Sequence, residues 1–262
     1  MKKRNLLQII IISLVLSITI TACSSPQNKG KQLTEKNELH IAAAASLRFA
    51  FEEIGMVFEE ETNTKVIFQF GSSGNLAQQI INGAPIDLFV AADTKFVEDL
   101  IENGDIIEET KNVYAIGRIV LAVNRNANIE ATTLEDLLSS DIKHIALANP
   151  NHAPYGLAGK EALENKGLWD LMEEKLVYGE NASQTMQFVQ MGNAPVGIIP
   201  LSIANVEEID FFLIDEELHN PIEQMLGVVS HSNNQEFAKD FAKFVNSTEG
   251  RIIMKKYGFD LP

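Results

Sequence analysis

The sequence predicts an α/β fold with largely parallel sheets, and three observations carry the prediction. Short apolar runs alternate with segments of helical periodicity along almost the whole chain. Several junctions between them place Ser, Thr or Asp where a helix would begin. No internal repeat and no Pro/Gly-rich linker interrupts the pattern, in a folded stretch of about 220 residues that suits one large or two smaller domains.

Strands are expected at 39–44, 65–70, 86–91, 118–123, 144–148, 175–178, 196–199, 210–214 and 224–229, with helices between them. After the first, Ser46 opens a helix that carries Leu47, Ala50, Phe51, Ile54, Val57 and Phe58 on one face and Glu52, Glu53, Glu59 and Glu60 mostly on the other, so it covers a sheet. After the second, Gly71-Ser72-Ser73-Gly74-Asn75-Leu76 turns into another helix. Asp93 reads as the cap of a helix after the third strand, and Thr132-Thr133-Leu134-Glu135-Asp136 as a capping box. The fifth strand runs into Asn149-Pro150-Asn151-His152-Ala153-Pro154-Tyr155-Gly156 and then a helical segment at 157–166; the sixth runs into Gly179-Glu180-Asn181-Ala182-Ser183-Gln184. If the chain forms two lobes, it crosses between them within ordered strands, which makes a hinge rather than a loose tether.

The N-terminus is a separate matter. Met1-Lys2-Lys3-Arg4 precedes an apolar stretch from Leu6 to Ile20 that is shorter than a membrane span, and small residues follow, the pattern of an export signal over residues 1–22. Cys23 is the only cysteine in 262 residues, which excludes an intrachain disulfide, a CxxC pair and a thiolate cluster. Ile20-Thr21-Ala22-Cys23 is similar to a bacterial lipobox, so Cys23 is expected to be lipidated and to hold the protein to the outer face of the cell membrane. Residues 23–37 are polar and read as a flexible tether. Loss of Lys2, Lys3 and Arg4 moves the net charge from −15 to −18, 18 basic against 36 acidic side chains, which argues against a nucleic-acid partner.

Four strand-to-helix junctions are candidates for one shared site: those at Ser46, Ser73, 148–156 and 178–184. In open α/β sheets a ligand sits beyond the carboxyl ends of the strands, where all four fall. A helix start presents unpaired N–H groups and the positive end of the dipole, so two serines placed there resemble halves of an anion cradle, although a single such serine is more often an ordinary cap. Glu180 is the only acid in these segments. A cradle of donors alone suits a fully deprotonated dianion such as molybdate, tungstate or sulfate. Hydrogen phosphate carries a proton that needs an acceptor, and burying it unpaired costs about 1–3 kcal/mol.

Enzyme signatures are weak. The segment at Ser73 lacks the second glycine of a G-x-S-x-G elbow, and neither GxxxxGK[ST] nor HExxH occurs. His40, His144, His152, His219 and His231 are scattered without ligand-like spacing. A serine hydrolase would need the fold to bring His152 within reach of Ser46 or Ser73.

The segments Ala42-Ala43-Ala44-Ala45-Ser46-Leu47, Gly71-Ser72-Ser73-Gly74-Asn75-Leu76-Ala77-Gln78-Gln79-Ile80, Gly83-Ala84-Pro85-Ile86-Asp87-Leu88-Phe89-Val90-Ala91-Ala92-Asp93, Asn149 to Gly156, Asn193-Ala194-Pro195-Val196-Gly197-Ile198 and Lys256-Tyr257-Gly258-Phe259 together give a specific pattern over about 39–259. On these the chain resembles the periplasmic molybdate-binding proteins of ABC importers. The resemblance implies a two-lobed, periplasmic-binding-protein-like fold of type II, with lobe 1 at 38–117 and 224–262, lobe 2 at 118–223 and the ligand cleft between. It implies that Ser46 and Ser73 each donate a hydroxyl and a backbone N–H to the oxyanion, and that Tyr155 and Ala182 donate backbone N–H groups from the other lobe. Family members carry a Tyr after the Gly-Ile-x run, whose hydroxyl reaches the anion. Here the run is Gly197-Ile198-Ile199-Pro200, and Pro200 has neither a hydroxyl nor an N–H; Ser202 is the candidate substitute. The implied activity is capture of molybdate or tungstate without catalysis or cofactor, by a monomer that delivers it to the membrane subunits of an ABC permease. Binding of sulfate or another tetrahedral oxyanion is the alternative.

Overall fold

The computed structural model describes residues 38–262. The expected export signal at 1–22, the lipidated Cys23 and the tether at 23–37 lie outside the described residues.

Two five-stranded sheets form the framework. The first contains β1 (Glu38–Ala44), β2 (Lys65–Gly71), β3 (Leu88–Ala91), β4 (Asn112–Gly117) and β10 (Ile222–Val228), in the order β2-β1-β3-β10-β4. The second contains β5 (Ile119–Asn124), β6 (Ile145–Ala148), β7 (Leu176–Gly179), β8 (Val196–Pro200) and β9 (Ile209–Leu213), in the order β7-β6-β8-β5-β9. β1 pairs in parallel with β2 and β3, as β6 does with β7 and β8. β10 and β5 each run against both of their neighbours. In each sheet, then, four strands point one way and one is reversed, and the reversed strand lies at a crossing between the sheets.

Helices cover both faces of each sheet, as buried strands in an α/β fold require. On the first, α1 (Arg48–Thr62), α7 (Gln235–Val245) and α8 (Thr248–Lys256) lie on one side, α2 (Ser73–Ile81) and α3 (Thr94–Glu102) on the other. On the second, α4 (Pro154–Asn165) and α6 (Ala182–Gln190) take opposite faces, and a short α5 (Trp169–Met172) follows α4. The apolar stripe expected on α1 is buried through Ala50, Phe51, Ile54 and Phe58. Phe51 sits about 6 Å, ring to ring, from Phe68, Tyr114 and Phe241. Asp93 caps α3 by accepting from Lys95 N at 2.9 Å; Asp136 accepts from the N–H groups of Thr132 and Thr133, one half of the expected capping box, but only a 3₁₀ turn, Glu135–Leu138, follows in place of a helix.

Strand β4 is absent from the sequence expectation, which places a single strand at 118–123. The run Asn112 to Asn124 is two strands in different sheets, separated only by Arg118. The apolar pattern scarcely breaks there, because β5 is buried throughout and β4 at three of its six positions. Arg118 is held by Glu216 at 2.7 Å and Asp260 at 3.6 Å. The chain crosses back between Leu213 and Ile222.

Candidate anion-binding site

The carboxyl ends of β1, β2, β3, β6 and β7 meet at one small cavity of about 10 Å³. Its lining includes Ser46, Ser73, Tyr155 and Ala182, four of the residues singled out in the sequence. Pro200, which ends β8, is buried but is not part of that lining. Ser46 is 1% and Ser73 0% exposed, so a guest here leaves bulk water behind.

Neither serine acts as an ordinary cap. Ser46 lies inside a 3₁₀ turn, Ala45–Leu47, ahead of α1, and its Oγ is buried without a hydrogen-bond partner. Ser73 is the first residue of α2, behind Ser72 at the cap position, and its Oγ accepts from Ala92 N at 3.0 Å. Tyr155 and Ala182 stand in the first turns of α4 and α6, where N–H groups have no partner within the helix. Three helix N-termini and the turn before a fourth therefore face one space, an arrangement that favours negative charge without a formal cation. Arg48, the nearest cation in sequence, pairs instead with Glu52 at 3.3 Å and lies over the Phe70 ring.

Polar contacts bring the two halves together around the cavity. Gly74 N donates to His152 O at 3.0 Å, Ser183 Oγ to Ala45 O at 3.2 Å and Ser202 Oγ to Ser46 O at 2.7 Å. Ser202 thus meets the backbone of Ser46. His152 Nδ1 lies 2.9 Å from Ser72 Oγ, and its Nε2 is 3.9 Å from Glu180. Asn75 Nδ2 donates to Glu180 Oε1, so the one acid of the four segments is engaged at the rim, outside the cavity lining. No acceptor-only side chain lines the cavity. Among the described residues, no group of His, Cys, Asp and Glu could hold a metal ion, and no helix is long and apolar enough to cross a membrane.

The Tyr155 side chain runs away from the cavity toward the crossing strands. Gln224 Nε2 donates to its hydroxyl at 3.4 Å, and Gly117 leaves room for it: a Cβ there would lie 2.1 Å from Tyr155 Oη. Burial pushes the Tyr155 phenol up, and the side chains of Ser46 and Gln224 hold it back. Burial likewise raises Tyr114 well above the ordinary value, with Tyr155 adding to the effect. Gln224 and Tyr114 escape a sequence reading focused on strand ends; the one signal is a glutamine, next to Glu223, at the head of the apolar run 225–229.

An α/β frame of two sheets with a buried, donor-lined cavity at the carboxyl ends of its strands is the architecture of a solute-binding protein. The chain belongs to the family of bacterial extracellular solute-binding proteins, which it matches over residues 39–260. It is 33% identical over 255 residues to YvgL of Bacillus subtilis, a protein assigned to the ABC transporter substrate-binding lipoproteins, with 96% of each chain covered. It is 32% identical over 223 residues to the molybdate-binding protein ModA of Rhodobacter capsulatus, covering 85% of this chain and 88% of that one. Among solved structures, the periplasmic molybdate-binding protein of Azotobacter vinelandii superposes with a TM-score of 0.80 at 28% identity, over 86% of this chain and 99% of that one.

Proposed function

We infer that this protein captures molybdate or tungstate outside the cytoplasm and hands it to the membrane subunits of an ABC permease, without catalysis and without a cofactor. The observation that carries this reading is the cavity itself, in which two serines and three helix starts converge with no carboxylate in the lining. Ser46 and Ser73 bind with hydroxyl and N–H groups, Tyr155 and Ala182 with N–H groups, and Pro200 adds no donor. The ModA relative gives molybdate its place ahead of sulfate, the second reading, which the missing hydroxyl at Pro200 keeps open. Lipid attachment at Cys23 is supported by the lipobox-like Ile20-Thr21-Ala22-Cys23 and by the lipoprotein designation of the YvgL relative. The working unit is a monomer, since one chain supplies both walls of the cavity.

The hydrolase reading has little to support it, because His152 engages Ser72 and neither Ser46 nor Ser73. A fluorophosphonate probe is expected to leave both of those serines unlabelled. Titration calorimetry of the purified protein with molybdate, tungstate, sulfate and phosphate tests the main reading. Tight binding of the first two with none of phosphate is the expected pattern; tight phosphate binding, or no binding of any oxyanion, overturns it.

A further inference from the structure

We propose that Ser183 and Ser202 are positioning residues of the oxyanion site: from the second sheet they hold the turn at Ala45 and Ser46 by its carbonyls, and so keep its N–H side aimed at the guest. This deepens the oxyanion reading above and rests on it.

Ser46 sits in a 3₁₀ turn of only three residues, Ala45–Leu47, and 3₁₀ hydrogen bonds are poorer than those of an α-helix. Ser73, by contrast, begins the regular nine-residue α2. The turn at Ser46 therefore depends more on outside support, and two hydroxyls supply it. Ser183 Oγ donates to Ala45 O at 3.2 Å and Ser202 Oγ to Ser46 O at 2.7 Å. Both serines are buried, and neither lines the cavity, so they act without touching the guest. Ser183 is free for this work because Asn181 caps α6, accepting from Gln184 N at 3.1 Å. Ser202 stands in the turn Leu201–Ile203, directly after Pro200.

The atoms that these hydroxyls take decide what they do. The Ala45 carbonyl and the Ser46 N–H belong to one trans peptide unit and point in opposite directions. That carbonyl accepts from Arg48 N as well as from Ser183 Oγ, which directs it into the start of α1. The Ser46 N–H is thereby directed back out of the turn, toward the end of β1 where the cavity lies. A donor on the carbonyl also polarises the peptide unit and strengthens its N–H as a donor. Ser202 holds the next unit, between Ser46 and Leu47, in the same way. With the peptide planes on both sides of Ser46 fixed, its side chain is fixed as well, and its Oγ stays buried without a protein partner, left for the guest. Pro200 brings no hydroxyl to the site; Ser202, two residues on, acts through Ser46 instead. Both ties run between segments of the two sheets, so closing on the guest and aligning Ser46 become one event.

Titration calorimetry with molybdate compares the purified parent with Ser183→Ala, Ser202→Ala and the double variant. Each single change is expected to weaken binding by about three- to tenfold, the range of one neutral hydrogen bond, and the double variant by more than either. Ser183→Thr and Ser202→Thr keep the hydroxyl and should retain most of the affinity; if one of them does not fold, the other carries the rescue. The thermal midpoint without anion checks folding and should stay near the parental value in Ser183→Ala, where Ala45 O keeps the Arg48 N–H. The amide nitrogen resonance of Ser46 in the molybdate-loaded protein reads the alignment, since it responds to hydrogen bonding at the Ala45 carbonyl of the same peptide unit. Ser183→Ala should move it and leave the Ser73 amide in place, whereas a loss of closure alone would move both. An affinity of the double variant within about twofold of the parent, matched shifts of the Ser46 and Ser73 amides, or folded threonine variants as weak as the alanine ones overturn the proposal and leave the oxyanion reading standing. A parent protein that binds no tetrahedral oxyanion overturns both.

Discussion

The backbone N–H of Gly74 donates to the carbonyl of His152 at 3.0 Å, joining the start of α2 to the loop before α4 across the cleft. A Cβ on Gly74 would stand 2.9 Å from His152 Cβ, closer than real contacts allow, and a tight 3.1 Å from its carbonyl oxygen. Gly74→Ala should therefore hold the halves apart. Helix propensity pulls the other way, by roughly 0.5–1 kcal/mol in favour of Ala. The variant is expected to be as stable as the parent without anion but to bind oxyanion at least tenfold more weakly, and small-angle scattering with saturating molybdate should show a larger radius of gyration. Parental affinity would mean that closure does not need this contact.

The two serines should separate binding from stability. A hydrogen bond to a charged group contributes about 1.5–3 kcal/mol, so Ser46→Ala and Ser73→Ala should each weaken anion binding by roughly 10- to 150-fold. Only Ser73→Ala also strands a buried partner, the Ala92 N–H, at a cost of about 1–3 kcal/mol. Chemical denaturation without anion should show that loss for Ser73→Ala and little change for Ser46→Ala, whose Oγ has no partner to lose.

Alkaline pH should destabilise the fold. Tyr114 and Tyr155 both keep their protons in the folded chain above the ordinary value of 10.0, chiefly through burial. The unfolded chain releases those protons near pH 10, so above it the unfolded state binds fewer protons and stability falls as pH rises; below it both states are protonated and these groups contribute no slope. The unfolding midpoint measured from pH 8 to 11 should fall beyond pH 10, and less steeply in Tyr114→Phe. Because the Tyr114 hydroxyl is buried without a partner, that variant should also gain about 1 kcal/mol at neutral pH.

Phe51→Ala removes the hub of the aromatic cluster under α1, with ring partners at 6.1, 6.0 and 6.0 Å and no exposure. A loss of about 3–5 kcal/mol in denaturant unfolding is expected. Oxyanion affinity should stay near the parental value where the variant remains folded, because no ring of the cluster lines the cavity.

The sequence makes the local elements legible wherever periodicity and caps coincide. The stripe on α1, the cap at Asp93 and the strand-to-helix junctions at Ser46 and Ser73 follow from residues a few positions apart, and the structure places them as expected. What escapes is set by residues distant in the chain. Strand β4 hides because Asn112 to Asn124 reads as one apolar run, and only pairing with β10 on one side and β8 on the other separates it into two. The contact of His152 with Ser72 spans 80 positions, and that of Gln224 with Tyr155 spans 69; no local pattern announces either. The hydroxyl missing at Pro200 is visible from the sequence, whereas the engagement of Ser202 with the Ser46 carbonyl is not.

Arg118 alone stands between β4 and β5, and Glu216 and Asp260 grip it from two other stretches of the chain. A junction of one residue, tied by two ion pairs, leaves the two sheets little slack at this crossing. A twist at Arg118 would tilt one sheet against the other and so part the groups that line the cavity, with nothing having to enter the pocket.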